Sequence, residues 1–490
     1  MAERRILIRG GHILTMDDQL GDFETGDLLI EGTRIAKVAE HIDEPADEVI
    51  DARGTFVIPG LIDTHIHLWQ TTVRGTAVEI IGPEYQANVK RLRLNYTAQD
   101  KYVANYVGAL EAVSGGTTTA IDHCHDVPSN EHSHATLRGT REAGLRTVYA
   151  PTMNSRAEGN PSTHAERLAT VLDARDRILA DDNNGLLYPG MALTDVPFVK
   201  AAGDRWEWLT REAEFARENG IFMTIHTTSQ DHMTKLHGLG VLGSDLVPSH
   251  CRVFSSHEYD LLQANGMSVN ITPVADYRHG LWWHVSEAVR RGLNVSYGID
   301  SVVFGAGNLL SQIRLAGEMQ RSSDMWTERM QGRGEIRRPG LPLIDAADIL
   351  KQATLGGAIA LGLADKVGSL TPGKQADIVL IKENEFGLTH ASPAAYVVYD
   401  TDRQSVDTVI INGEVRKRDG RLVDVDYDRI RAMVNESAAR ICGTPIEGVR
   451  RVWWAPKEAR AAWDSVAPAK DLGADHGEAA QERVGAPYAG

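Results

Sequence analysis

The chain is predicted to be α/β, a (β/α)8 TIM-like barrel carrying a small discontinuous β-sandwich domain built from both chain ends. Three observations predict it. Residues 5–57 alternate short apolar runs with Gly and Asp (ILIRGGHILTM, DLLIEGTRIAKVAE, TFVIPG), the texture of antiparallel strands. The same texture returns at 377–424 in DIVLI and TVIINGEVRKRDGRLV. Between them, strand-like and helix-like stretches alternate over about 300 residues, which implies a parallel sheet and, at that length, a closed barrel. The boundaries drawn are 1–57 and 363–432 for the sandwich, 58–362 for the barrel, and 433–490 for a C-terminal helix and tail.

Along the barrel, PGLIDTHIHL reads as the first strand. Thr97 and Asp100 form a capping-box-like start to a helix running through Val113 and stopped by Gly115-Gly116. TTTAIDH is the second strand, RTVYAP the third and LLYPGMAL the fourth. Trp206, Leu209, Ala213 and Ala216 recur at helical spacing before a fifth strand in IFMTIHTTS. VPSHC ends the sixth and VSYGIDS the eighth. Residues 331–342, QGRGEIRRPGLP, read as a solvated loop or a lid. The stretch IRAMVNESAARIC is an amphipathic helix, and the tail behind it carries Trp453, Trp454 and Trp463. Three tryptophans are expected to dock, on the chain itself or on a second subunit in a homo-oligomer.

Composition narrows the partners. Of 490 residues, 42% are hydrophobic and 24% charged, as in an ordinary soluble globular protein. The formal charge of −16, from 51 basic and 67 acidic residues, argues against a nucleic acid or an anionic membrane. Three cysteines (Cys124, Cys251, Cys442) suit a reducing compartment, and buried, unreactive thiols are expected. MAERRILIRGG lacks the apolar core of a signal peptide, and no run approaches the ~18 apolar residues of a membrane span. A cytoplasmic protein with a small-molecule substrate is the expectation.

Function is concentrated in four residues. His65, His67, His226 and Asp300 each close a short apolar run, so each falls at the C-terminal end of a buried strand. That rim is where barrel active sites form. Alternate residues of a strand share a face, so His65 and His67 can chelate one ion. Three imidazoles and a carboxylate suit one divalent first-row cation per chain, Zn2+ first and Fe2+ second. Any one of these histidines could be a satisfied core residue; the ordered set is what a metal site requires.

The segment from Pro59 to His67, with Trp69-Gln70 and Arg74-Gly75 after it, resembles the first barrel strand of the amidohydrolase superfamily, in its cytosine deaminase and chlorohydrolase branch. His226, His250 and Asp300 match in the same order, and ATLGGAIALGLADKVGSLTPGKQADIVLI (353–381) resembles the segment where that family returns to its small β domain. The likeness spans residues 5–435. It implies a single-metal hydrolase that activates water to cleave a non-peptide C–N bond in a small cyclic nitrogenous compound. It also implies that Asp300 is both ligand and catalytic base, and that His250 is catalytic, lying beside the metal without being a primary ligand. No lysine ends the fourth strand, so a carbamylated-lysine, two-metal arrangement has no anchor.

One position departs from that pattern. Deaminases of the branch usually carry glutamate three residues after the fifth-strand histidine, and here the residue is Ser229. A serine hydroxyl cannot hold a proton for delivery near pH 7. Losing such an acid typically forfeits about 10²–10⁴ in rate. The expectation therefore shifts from plain deamination towards reactions that one base suffices to run, such as opening a cyclic amide. A dechlorinase, N-dealkylase or lyase activity, and a catalytically silent scaffold, are the alternatives. His125 and His279 are the first candidates to replace the acid, with His123 and Asp276 behind them. Trp69, Tyr277, Trp282 and Trp283 fall in expected rim loops and suit a flat substrate, and Gln70 offers an amide contact.

Overall fold

The computed structural model describes residues 3–78, 90–125, 127–153, 163–180, 185–251, 254–279, 285–305, 307–330, 344–386 and 392–443. The 331–342 loop, Trp282, Trp283 and the tryptophan-bearing tail lie outside them.

Strands from the two ends of the chain form one nine-stranded sheet. The early strands are Arg5–Ile13, Phe23–Glu31, Arg34–Ala39, Glu48–Asp51 and Thr55–Pro59; the late ones are Ile378–Lys382, Val406–Ile411, Glu414–Arg418 and Arg421–Leu422. The join is the antiparallel pair Thr55–Pro59 with Ile378–Lys382, in the register Ile378 to Pro59 and Lys382 to Thr55. The sheet is mixed, because Arg5–Ile13 runs parallel to both Glu48–Asp51 and Thr55–Pro59. Alternation sorts its faces: Ile6, Ile8, Leu28, Ile30 and Leu380 share one apolar cluster, while Leu7 and Leu29 pack on Ile42.

Eight parallel strands follow in ring order: Leu61–Ile66, Thr117–Cys124, Arg146–Pro151, Leu187–Ala192, Phe222–His226, Leu246–Ser249, Val269–Ile271 and Val295–Tyr297. The first six form a continuous ladder and the last two pair with each other. Between the sixth and seventh, side chains take over. The His250 N–H donates to Asn270 Oδ1 (3.1 Å), and the Asn270 N–H donates to Cys251 Sγ (3.3 Å). His250 and Cys251 have φ of 79° and 43°, which turns their backbone out of strand register. The eighth strand meets the first where the Asp300 N–H donates to His65 O (2.8 Å) and the His67 N–H to Asp300 O (2.9 Å).

From these strands, Ile62, Ile121, Val148, Ala192 and Val247 form an apolar cluster with Ala358, Leu361 and Leu363. The helix Ala98–Ser114 begins at the expected Thr97–Asp100 capping box and ends at Gly115. The helix Glu207–Glu218 buries Leu209, Ala213 and Ala216, and Trp206 caps it. The C-terminal helix Tyr427–Gly443 docks on the barrel through Ser437 Oγ to Asp100 Oδ1 (2.6 Å) and an Arg440–Asp100 ion pair. No helix among the described residues is long and apolar enough to cross a membrane.

A buried ion pair ties the third barrel strand to the sheet. Arg146 donates through Nε and Nη2 to Asp377 Oδ2 and Oδ1, both at 2.8 Å, and Asp377 Oδ1 also accepts the Asn412 N–H at 2.8 Å. Arg146 is fully buried. Removing one partner strands the other charge, so Asp377→Ala should cost about 3–5 kcal/mol, read as a lowered urea unfolding midpoint. The double variant Arg146→Met/Asp377→Ala should recover most of that loss.

Candidate active site

The histidine cluster grows out of the strand ends just described. His65 is fully buried; its Nδ1 meets Ser249 Oγ at 2.8 Å, and its Nε2 has no hydrogen-bond partner among the described residues. His67 donates from Nδ1 to the His123 carbonyl at 2.6 Å. His226 holds its Nδ1 against both oxygens of Asp195, at 3.0 and 3.1 Å. A carbonyl and a carboxylate only accept, so the neutral rings of His67 and His226 carry their proton on Nδ1 and a lone pair on Nε2. Those two Nε2 atoms nevertheless face each other at 3.4 Å.

Asp300 Oδ1 completes the convergence, 3.1 Å from His67 Nε2 and 3.4 Å from His65 Nε2. Burial alone would raise the Asp300 carboxyl, but the imidazoles of His65, His67 and His250 outweigh it and hold the group well below the usual carboxylate range. Burial pushes His65 down to about 3, so its ring is a neutral donor at physiological pH. Lone pairs and a carboxylate crowded together repel unless a cation lies between them. A tetrahedral ion with bonds of about 2.0–2.1 Å separates its ligands by about 3.4 Å, close to the spacings here. The orphaned Nε2 of His65 and this all-acceptor donor set fit a divalent metal. Three sets of ring or carboxylate atoms lie within 4.8 Å of one another: His65, His67 and Asp300; His67, His125 and His226; and His65, His123 and His226.

His250 sits beside these sets and belongs to none of them. Its ring centroid is 5.0 Å from that of His65, and its Nδ1 is anchored by Thr272 Oγ1 (2.7 Å) and Asp276 Oδ1 (3.2 Å). His125 is buried, with its centroid 4.3 Å from His67. Its Nδ1 accepts the Trp69 Nε1–H at 3.3 Å. Its carbonyl accepts the ammonium of Lys101, which lies over the Trp69 ring.

Trp69 and Gln70 lie in a 3-10 segment, Leu68–Val73, whose residues are all buried. They form wall rather than open rim: Trp69 packs with Tyr96 and Ile441, and Gln70 Oε1 accepts from Ser301 Oγ. His279 is half-buried, donates from Nδ1 to Ala275 O (2.6 Å) and packs edge-on against Phe304. Tyr277 and Ser229 are exposed.

Sequence reasoning did not single out Asp195 or Ser249. Asp195 lies three residues past the fourth strand, in ALTDVP; a carboxylate near a strand end was the available signal. Ser249 directly precedes His250 in VPSHC.

A family model described as the amidohydrolase family matches residues 56–416. The chain is 28% identical over 464 residues to 5'-deoxyadenosine deaminase of Methanothermobacter thermautotrophicus, covering 90% of this chain and 100% of that protein. It is 27% identical over 457 residues to 5-methylthioadenosine/S-adenosylhomocysteine deaminase of Symbiobacterium thermophilum, covering 89% and 99%. An adenosine deaminase from Xanthomonas campestris with bound zinc superposes with a TM-score of 0.78 at 20% identity, covering 90% of this chain and 99% of that one. An atrazine chlorohydrolase from Arthrobacter aurescens complexed with zinc gives 0.74 at 22% identity, covering 88% and 100%. At those identities the structural likeness establishes a shared fold.

The Asp195–His226 contact is directly testable. Partners behind a ligand histidine typically account for about 10–100-fold in metal affinity, so Asp195→Ala should weaken zinc binding by that factor in chelator competition.

Proposed function

The chain belongs to the amidohydrolase family, and on that premise we propose that it is a zinc hydrolase that releases ammonia from an aminated nitrogen heterocycle, with adenine nucleosides as the first substrates to test. The observation that carries this reading is the convergence of His65, His67, His226 and Asp300 at the barrel rim, in a chain similar to two kinds of adenosine-type deaminase over nine-tenths of its length.

These four residues would hold one zinc ion per chain. When bound, it supplies Lewis-acid activation of water. Asp300, ionised at the working pH, takes the proton from the attacking water. His250 has its Nδ1 fixed by Thr272 and Asp276, which leaves Nε2 to steady the group on the reacting carbon. Trp Nε1 can only donate, so neutral His125 accepts on Nδ1 and carries its proton on Nε2. That N–H is a donor for an acceptor atom of the substrate ring, and it takes over part of the work a glutamate at position 229 would do. Trp69 and Gln70 back this wall, and His279 stands further out. Ser229 is exposed, and the relatives' deaminase activity supports deamination ahead of the cyclic-amide opening that the serine alone suggested. The serine still favours one second reading, expulsion of a leaving group such as chloride that needs no proton. The three cysteines, none in a disulfide among the described residues, and the tryptophan-bearing tail support a cytoplasmic homo-oligomer.

Protein purified without added metal should contain close to one zinc equivalent and release ammonia from 5'-deoxyadenosine or adenosine. Release of chloride from a chlorinated triazine with no ammonia from any aminated ring would favour the second reading. A loaded but inert protein across both panels would favour a binding scaffold.

His250→Ala should retain the metal and lose about 10²–10⁴ in turnover. Loss of zinc in that variant would make His250 a ligand instead.

A further inference from the structure

His123 takes no part in the chemistry above. It ends the second strand region next to the cluster, is fully buried, and has no hydrogen-bond partner on either ring nitrogen among the described residues. Its ring centroid lies 4.1 Å from that of His226 and 5.3 Å from those of His65 and His67. Leaving a buried polar group unpaired is costly, so an imidazole kept only for packing would turn a nitrogen towards an acceptor. The rings around His123 are other imidazoles, and one ring nitrogen each of His65, His123 and His226 falls within a 4.8 Å set. A substrate arriving from solvent meets His226, whose side chain keeps 13% exposure, before it meets His123. What satisfies several converging imidazole lone pairs in so enclosed a place is a cation.

Resting on the reading of this rim as a metal centre, we propose that His65, His123 and His226 form a second cation position that overlaps the first and holds zinc without the carboxylate of Asp300. Three imidazoles with an open fourth position are a sufficient ligand set for zinc. Because His65 and His226 are common to both positions, the chain still carries one ion at a time, in either of two coordination sets.

The test compares wild type, Asp300→Asn and Asp300→Asn/His123→Leu, purified without added metal and titrated with zinc alone. Asn at position 300 is isosteric and tolerates the φ of 63° found there. Asp300→Asn should keep about one zinc per chain by elemental analysis, and an anomalous-scattering map of its crystals should put the ion at bonding distance, about 2.0–2.1 Å, from a His123 nitrogen. The double variant should bind zinc at least tenfold more weakly in chelator competition. A zinc-free Asp300→Asn beside a loaded wild type would overturn the second position and leave the proposed function standing. So would an ion bonded to His65 and His67 with His123 out of reach. A wild type that binds no zinc would overturn both. If the double variant fails to fold, the map of Asp300→Asn decides alone.

Discussion

Two main-chain hydrogen bonds, Asp300 N–H to His65 O and His67 N–H to Asp300 O, close the barrel and bring its histidine–carboxylate cluster together in one stroke. They join the first strand to the segment after the eighth, and the same alignment sets the Asp300 carboxylate against two imidazoles. The approach is close. A Cβ on Gly298 would lie 2.8 Å from His65 Cβ, so only glycine allows the eighth strand to come in at this height. Asp300 itself adopts a left-handed φ of 63°, a conformation that costs a non-glycine residue about 1–3 kcal/mol and persists only where surroundings over-determine it. The barrel's hydrogen bonding supplies that compulsion.

Behind four of the imidazoles stands a group that fixes the ring. His67 leans on the His123 carbonyl, His226 on Asp195, His250 on Thr272 and Asp276, and His125 on Trp69. Three of these anchors accept, leaving the opposite nitrogen with a lone pair; the fourth donates, leaving an N–H. The cluster is thereby sorted into rings that can ligate and a ring that can donate, and the sorting comes from neighbouring strands rather than from the rings. The anchors come from the segment after the first strand, from the second and fourth strand ends and from the start of the helix after the seventh strand, so the ring of strands acts as one frame.

His65, His67, His226, His250 and Asp300 were legible because each follows an apolar run, and burial of that run determines where the polar residue at its end emerges. Asp195 was not, because it reaches the cluster through the ring of His226 and lies three residues past its strand, where periodicity has stopped. Trp69 was read as a rim-loop residue, and its segment is buried. Its cover includes Ile441 from the C-terminal helix, about 370 residues further along the chain. His279 was set beside the acid candidates on loop position, and it follows the helix Pro273–Arg278 with its ring edge-on to Phe304. The mixed character of the small sheet was equally out of reach, because strand alternation reports which face is buried and not which way a neighbour runs.

The pairing of Thr55–Pro59 with Ile378–Lys382 has a consequence for the order in which the protein is made. Translation at about 5–20 residues per second delivers the second strand some 15–65 s after the first. Throughout that interval the segment Thr55–Pro59, every residue of which is buried in the finished fold, stands at an open edge. It also leads within two residues into the first barrel strand, so the barrel begins to assemble from a sheet that is still half missing. The small sheet is therefore completed last although it starts first, and Phe56, Val57 and Ile58 are the stretch that a nascent chain has to keep covered until its own C-terminal strands arrive.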